Sequence, residues 1–236
     1  MCSSDLRALG GFRGASVTIP HKVSAIPFLD EVDPTARHIG AINTIVANQG
    51  KLSGYNTDAT GALRALRGGA GSLAGKRVII LGSGGAARAI AFAIAGESGV
   101  AGLTLLGVDG NERSTLANDL RSKSTLTVAD AHLDEVSLAK TLPDAQVLIH
   151  CTPVGMSPKT EASCVPASLL TPGLAVMDIV YNPRDTQLLK DARQAGCVTI
   201  PGLEMFLHQA VAQFELWTGH VAPEDVMRSV LESRFR

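Results

Sequence analysis

The 236 residues exceed one average domain and fall short of two large ones, which leaves one large α/β unit or two small lobes. Apolar residues make up 45% and charged residues 18%, which excludes a disordered or coiled-coil chain, and 24 glycines without a collagen period point to many tight turns. Lys and Arg number 21 against 22 Asp and Glu, so no bulk positive field exists for a nucleic-acid backbone, and a small ligand is the expected partner.

In chain order, residues 1–6 (Met-Cys-Ser-Ser-Asp-Leu) lack a cationic stretch followed by an apolar one and are not a signal peptide. They match, residue for residue, the in-frame reading of a common sequencing adapter, so the native coding region is expected to continue upstream. Residues 14–19 read as extended, and Pro20-His21-Lys22 opens a helix-like segment to about Leu29. Residues 44–48 and 51–55 flank Gln49-Gly50 and predict a hairpin, after which Thr57-Asp58 caps a helix to about Arg67. The glycine- and alanine-rich residues 68–75 read as a linker.

Beyond the linker the pattern alternates. Strands are predicted at 77–81, 103–108, near 125–128, 146–150, 174–179 and 197–200, with helices at 86–95 and 112–121 between the first of them. Continuous apolar runs alternating with helical spacing indicate a parallel sheet covered on both faces, so residues 76–200 are expected to form a Rossmann-like doubly wound lobe. The most apolar stretch, 78–95, is cut by Gly82-Ser83-Gly84-Gly85 and Arg88, which rules out a membrane span there. Cysteines 2, 151, 164 and 197 show no Cys-x-x-Cys spacing, and a reducing, cytoplasmic setting follows. Leu203, Phe206, Leu207, Ala210, Val211, Phe214 and Trp217 recur at helical spacing and stop at Gly219; a last helix covers 223–233.

The run Val78-Ile79-Ile80-Leu81 leads directly into Gly82-Ser83-Gly84-Gly85-Ala86-Ala87 and a helix, which is the context of a dinucleotide fingerprint. Without Cβ atoms such a turn brings main-chain N–H groups close to a pyrophosphate at the positive end of the helix. At the end of the next strand stands Gly107-Val108-Asp109. Asp109 has two readings of equal weight: a hydrogen-bond acceptor for the ribose diol of NAD, or the cap of the helix that follows. Arg113, four residues on, could fold back over the adenosine end, so charge alone leaves NAD and NADP both open.

A hydride arriving on a ketone leaves an alkoxide, which calls for a proton donor and a group that keeps the donor poised. Lys22 and Asp58 are the candidates, each at the end of a turn-forming string; alone, either could be a solvated surface charge. His21, His38 and His208 show no metal-ligand spacing, and no metal is expected. Met205 and Gln209, four apart, share one helix face.

These strings resemble the signature segments of the shikimate dehydrogenase family, in order and at similar spacing. They are Ser16-Val17-Thr18-Ile19-Pro20-His21-Lys22, Gly40-Ala41-Ile42-Asn43-Thr44 and Gly54-Tyr55-Asn56-Thr57-Asp58, followed by the glycine turn. Thr152-Pro153-Val154-Gly155-Met156, Asp178-Ile179-Val180-Tyr181-Asn182-Pro183 and the segment from Gly202 to Gln209 complete the set, so the resemblance covers about residues 11–233. It implies reversible, NADPH-dependent reduction of 3-dehydroshikimate to shikimate on the route to chorismate and aromatic amino acids, by a monomer or homodimer. It further implies Lys22 and Asp58 as the catalytic pair, and Thr18, Asn43, Tyr181 and Gln209 as contacts to the polyol ring. Gly82, Ser83, Gly84, Gly85 and Ala86 would take the pyrophosphate, with Thr152, Pro153, Gly155, Met156, Gly202 and Met205 near the nicotinamide. Residues 1–67 would then be a substrate-binding lobe lacking the family's first strand and helix, with their Ser-x-Ser pair, and residues 201–236 helices returning to that lobe. The Asn-Arg-Thr of NADP-using members is replaced by Gly107-Val108-Asp109, which favours an NAD-dependent quinate/shikimate dehydrogenase as the alternative. A ligand-binding regulatory module without turnover is the alternative of another class.

Overall fold

The computed structural model describes residues 11–18 and 20–234; the expectation for Met1 to Leu6, and Ile19 of the first extended stretch, lie outside the described residues. Strands β1 (Gly14–Ser16), β2 (Glu31–Val32), β3 (Thr44–Asn48) and β4 (Lys51–Tyr55) form a four-stranded sheet in the order β1-β3-β4-β2. The hairpin is the predicted one: Gln49 (φ 49°) and Gly50 (φ 79°) are both left-handed, the two-residue turn whose twist matches its strands. It sets the register Asn48 opposite Lys51 and Ala47 opposite Leu52.

Residues 20–29 do not form the expected helix. They make successive turns and one 3-10 turn at Ile26–Phe28, because Pro27 has no N–H to give to the carbonyl four residues back. A short helix α1 (Pro34–Ile39) follows, its first amides held by the Asp33 carboxylate and its end closed by left-handed Gly40. Helix α2 (Thr57–Ala70) is capped by Asn56 rather than Thr57-Asp58, and it runs three residues past the predicted end. It extends through Gly69 because that glycine packs on Ile200, where a Cβ would stand 2.3 Å from Cγ1; the linker therefore starts at Gly71.

The second sheet alternates strand and helix: β5 (Arg77–Leu81), α3 (Gly85–Ala95), β6 (Gly102–Gly107), α4 (Gly110–Lys123), β7 (Val128–His132), α5 (Glu135–Thr141) and β8 (Val147–His150). Next come β9 (Ala175–Asp178), α6 (Gln187–Gln194) and β10 (Val198–Pro201), and all six strands are parallel in the order β10-β9-β8-β5-β6-β7. Strand β7 begins three residues later than predicted, since its first partner on β6 is Leu103, opposite Val128. Along β5 the side chains divide by pleat: Val78 and Ile80 join the core under α3, while Ile79 and Leu81 join the one containing Leu138 and Leu188. Both faces are covered, as in the doubly wound fold expected from the sequence.

Helix α7 (Gly202–Thr218) leaves β10 and crosses back to the first sheet, where Trp217 Nε1 donates to the Ile45 carbonyl at 2.9 Å; Gly219 (φ 70°) ends it. Helix α8 (Glu224–Arg234) packs on it through Met227 and Leu231 against Leu207, Val211 and Phe214. Among the described residues no helix is long and apolar enough to cross a membrane.

Candidate active site

Lys22 Nζ donates to Asp58 Oδ2 at 2.6 Å, across 36 positions of sequence. Asp58 lies in the first turn of α2, where the helix dipole favours a carboxylate. The Lys22 backbone is fixed by its carbonyl, which accepts from Ile42 N at 2.8 Å. With side-chain exposures of 22% and 13%, both groups are largely screened from water yet remain reachable. They line a cleft of about 470 Å³ between the two sheets, together with Thr18, Asn43, Tyr181, Gln209, Gly202 and Met205. Ala86, the residue after the glycine turn, lines the same cleft.

Asn43 is buried, and a fixed network holds its amide: Nδ2 donates to Thr57 Oγ1 at 3.0 Å, and Oδ1 accepts from Thr57 N at 2.7 Å and Thr44 Oγ1 at 2.8 Å. Behind it stands Gln213, which sequence reasoning passed over. Its Nε2 donates to Thr44 Oγ1 and its Oε1 accepts from Ser16 Oγ, both at 3.0 Å. A glutamine one turn beyond Gln209 on an otherwise apolar stripe was the available signal. Tyr181 stacks on Phe206, ring centroids 4.7 Å apart, while Gln209 Nε2 donates to the Phe206 carbonyl at 3.1 Å.

The remaining predicted residues lie at the carboxyl edge of the parallel sheet, outside the lining of that cleft. Gly82 is left-handed (φ 106°), and a Cβ on it would stand 2.9 Å from the Cys151 carbonyl oxygen. Gly84 caps α3 with no side chain, and a Cβ on Gly84 or Gly85 would meet nothing within 4 Å. Open space in front of the unpaired amides of a helix start fits a pyrophosphate. Ser83 Oγ sits against Gly107 and reaches Glu112 Oε2 at 3.5 Å. The strand order reverses between β5 and β8, so Gly82 and Thr152 flank the crevice where an α/β sheet takes its ligand. Thr152 Oγ1 accepts from Val154 N at 3.2 Å, Pro153 O accepts from Met156 N at 3.2 Å, and Gly155 makes the left-handed step between (φ 81°); Met156 is exposed. At Gly202 a Cβ would stand 2.6 Å from Ile179 C and O, so only glycine lets α7 start this close to the end of β9.

Asp109 caps α4, its Oδ1 accepting from Asn111 N and Glu112 N at 2.9 Å each. The Arg113 guanidinium is held by Asp130 Oδ2 (3.2 Å) and by the Gly107 carbonyl at the end of β6 (2.7 Å). Hydrogen bonds from Arg121 and then Arg113 outweigh burial and hold the Asp130 carboxyl below its usual range. Among the described residues no group of three or more His, Cys, Asp or Glu side chains could hold a metal ion.

Residues 2–45 match the family profile for the shikimate dehydrogenase substrate binding domain, and residues 202–232 that for the shikimate 5'-dehydrogenase C-terminal domain. A relative named shikimate dehydrogenase (NADP(+)), from Moorella thermoacetica, is 45% identical over 97% of this chain and 77% of its own length. The crystal structure of shikimate 5-dehydrogenase from Listeria monocytogenes, with shikimate and NAD, superposes with TM-score 0.90 at 34% identity, covering 96% of this chain and 80% of that one. Quinate dehydrogenase from Corynebacterium glutamicum, in complex with NAD, gives TM-score 0.87 at 33% identity over 94% of this chain and 78% of its own. The chain belongs to the shikimate dehydrogenase family.

Proposed function

We propose that the chain reversibly reduces 3-dehydroshikimate to shikimate with NADPH, a step toward chorismate and aromatic amino acids, acting in the cytoplasm as a monomer or homodimer. The observation that carries this reading is the shared cleft: Lys22, Asp58 and Ala86, the residue that follows the glycine turn, line one cavity. In this reading residues 1–67 form the substrate lobe, 76–200 the dinucleotide lobe, and 201–236 return to complete the substrate cleft.

The open glycine turn at a helix start fits the cofactor, with Gly82, Ser83, Gly84, Gly85 and Ala86 holding the pyrophosphate and Thr152, Pro153, Gly155, Met156, Gly202 and Met205 its redox end. When bound, NADPH supplies the hydride. Lys22 Nζ gives a proton to the substrate oxygen as it becomes an alkoxide, and takes one back in the reverse direction. Asp58, 2.6 Å from Lys22, keeps the ammonium in place and accepts a substrate hydroxyl hydrogen. Thr18, Asn43, Tyr181 and Gln209 supply the fixed polar partners that a ring with several hydroxyls requires. Because the Asn43 amide is locked by Thr44 and Thr57, it meets the substrate in one orientation.

The test is to mix purified protein with shikimate and NADP⁺ and follow NADPH formation. Turnover abolished by Lys22→Met supports the reading; shikimate binding without any cofactor reduction would replace it with a regulatory module. A second reading, preference for NAD, is favoured by Asp109, which puts a carboxylate just past the end of β6 while the Arg113 guanidinium is already bonded to Asp130 and the Gly107 carbonyl. The ratio of kcat/KM for the two cofactors decides, each tenfold being about 1.4 kcal/mol.

A further inference from the structure

His150, the last residue of β8, is 1% exposed and has no place in the chemistry above. Its Nδ1 lies 2.9 Å from Asp178 Oδ1 at the end of β9, and its Nε2 lies 2.5 Å from Thr152 Oγ1. Both oxygens of Asp178 are engaged: Oδ1 also accepts from Val180 N at 3.0 Å, and Oδ2 accepts from Thr186 Oγ1 at 2.6 Å, the residue that caps α6. One imidazole therefore ties together the loops after β8 and β9, next to the glycine turn after β5, where Thr152 Cγ2 would be 3.3 Å from a Cβ on Gly82.

The hydrogen inventory gives this tie a direction. Asp178 accepts, so Nδ1 carries a hydrogen. With a neutral ring, Nε2 must accept, and the Thr152 hydroxyl spends its hydrogen on it. With an imidazolium, Nε2 donates instead; Thr152 Oγ1 then accepts from both Nε2 and Val154 N, and its own hydrogen is released toward the crevice. We propose that His150 is a positioning residue for the dinucleotide, holding the loop of Thr152 at the switch point of the sheet and, as imidazolium, turning the Thr152 hydroxyl outward as a donor to the cofactor. This rests on the reductase reading above.

The ionisable groups acting on the ring are Asp178 from β9 and Cys164 from the loop that returns beneath it. Burial alone would lower the pKa of His150, but the hydrogen-bonded Asp178 carboxylate and Cys164 outweigh it and raise the value from 6.5 to about 9. The neighbouring Cys151 thiol is pushed by burial well above its usual range and does not titrate here.

The experiment measures the dissociation constant of NADPH by fluorescence titration between about pH 7 and 10, alongside thermal unfolding, for the wild type, His150→Gln and Thr152→Val. For the wild type, affinity is expected to fall above about pH 9, where His150 loses its proton. Both variants should bind NADPH about tenfold more weakly at pH 7, a loss of about 1.4 kcal/mol, and should lack the alkaline fall. Thr152→Val removes only the hydroxyl and so reports on the proposal even if His150→Gln folds poorly. Unchanged NADPH affinity in Thr152→Val, or an alkaline fall that persists in it, overturns the proposal; so does a His150→Gln protein that loses thermal stability alone. A wild type that binds NADPH with this pH dependence but never oxidises shikimate would sink the reductase reading and leave the positioning role standing.

Discussion

Gly61 and Gln209 meet backbone to side of backbone: a Cβ on Gly61 of α2 would stand 2.8 Å from both Gln209 N and Met205 O of α7. The two helices can approach this closely only because Gly61 has no side chain, and their approach delivers Met205 and Gln209 to the cleft that holds Asp58 on the same α2. Gly61→Ala should therefore destabilise the protein by about 1–3 kcal/mol, the usual penalty for overpacking. Shikimate KM should rise as α7 is pushed away. Urea unfolding and steady-state kinetics on the same sample check both effects, and a variant with native stability and KM would show that the helices have slack.

Gln213 supports the same cleft from behind. Its amide joins Ser16 of β1, Thr44 of β3 and helix α7, and it is 6% exposed. Gln213→Leu leaves the Ser16 and Thr44 hydroxyls without this partner, which should cost about 1–3 kcal/mol. The loss should exceed that of Gln209→Leu, whose amide bonds only its own helix carbonyl among the described contacts. Equal losses on denaturant melts would argue that Ser16 and Thr44 find water instead.

Lys22→Ala should lower kcat by roughly 10²–10⁴-fold, the range of general acid–base catalysis. Shikimate binding should weaken far less, since the donor matters most as negative charge develops. Single-turnover rates and equilibrium binding separate the two, and equal losses in both would reduce Lys22 to a binding residue.

The hairpin and the glycine turn were legible because each depends on local chemistry: Gln49-Gly50 specifies a left-handed pair, and Gly82-Ser83-Gly84-Gly85 follows a buried strand. Where prediction failed, a longer-range or competing term decided. Pro20 suggested helix entry, but Pro27 lay too close for a helix to form. Gly68 and Gly69 suggested a linker, but Gly69 packs against Ile200 and the helix runs on through both. Helix α1 carried legible signals, Asp33-Pro34 at its start and Gly40 at its end, yet its short apolar period hid it. In the site, the Lys22–Asp58 pair came from resemblance, whereas Gln213 and His150 have meaning only through partners on other elements, 169 and 28 positions away.

Stability should decline on the alkaline side. His150 has a folded pKa raised from 6.5 to about 9, so the proton it holds stabilises the native state fully below about pH 6.5 and is lost as pH rises through about 9. A shift of that size in a buried group corresponds to about 3 kcal/mol. Urea melts at steps across this range should show the decline, and His150→Gln should flatten it. A wild-type profile that stays level up to about pH 9 would mean that His150 is neutral in the fold.

Gly84→Ala distinguishes the cofactor cradle from a merely structural turn. Gly84 has ordinary negative φ (−72°), and an added Cβ meets nothing within 4 Å, so the free protein should keep its Tm, with a change of about 0.5 kcal/mol or less. The same methyl group would project into the space before the α3 amides, where a pyrophosphate must make close contact. NADPH should therefore bind at least tenfold more weakly while shikimate affinity is unchanged, because Gly84 is not among the residues lining the cleft that Thr18, Asn43, Tyr181 and Gln209 share. Isothermal titration of each ligand against wild type and variant provides the measurement. An intact NADPH affinity would mean that the phosphates lie elsewhere, whereas a fall in Tm with both affinities preserved would mean that the turn serves the fold alone.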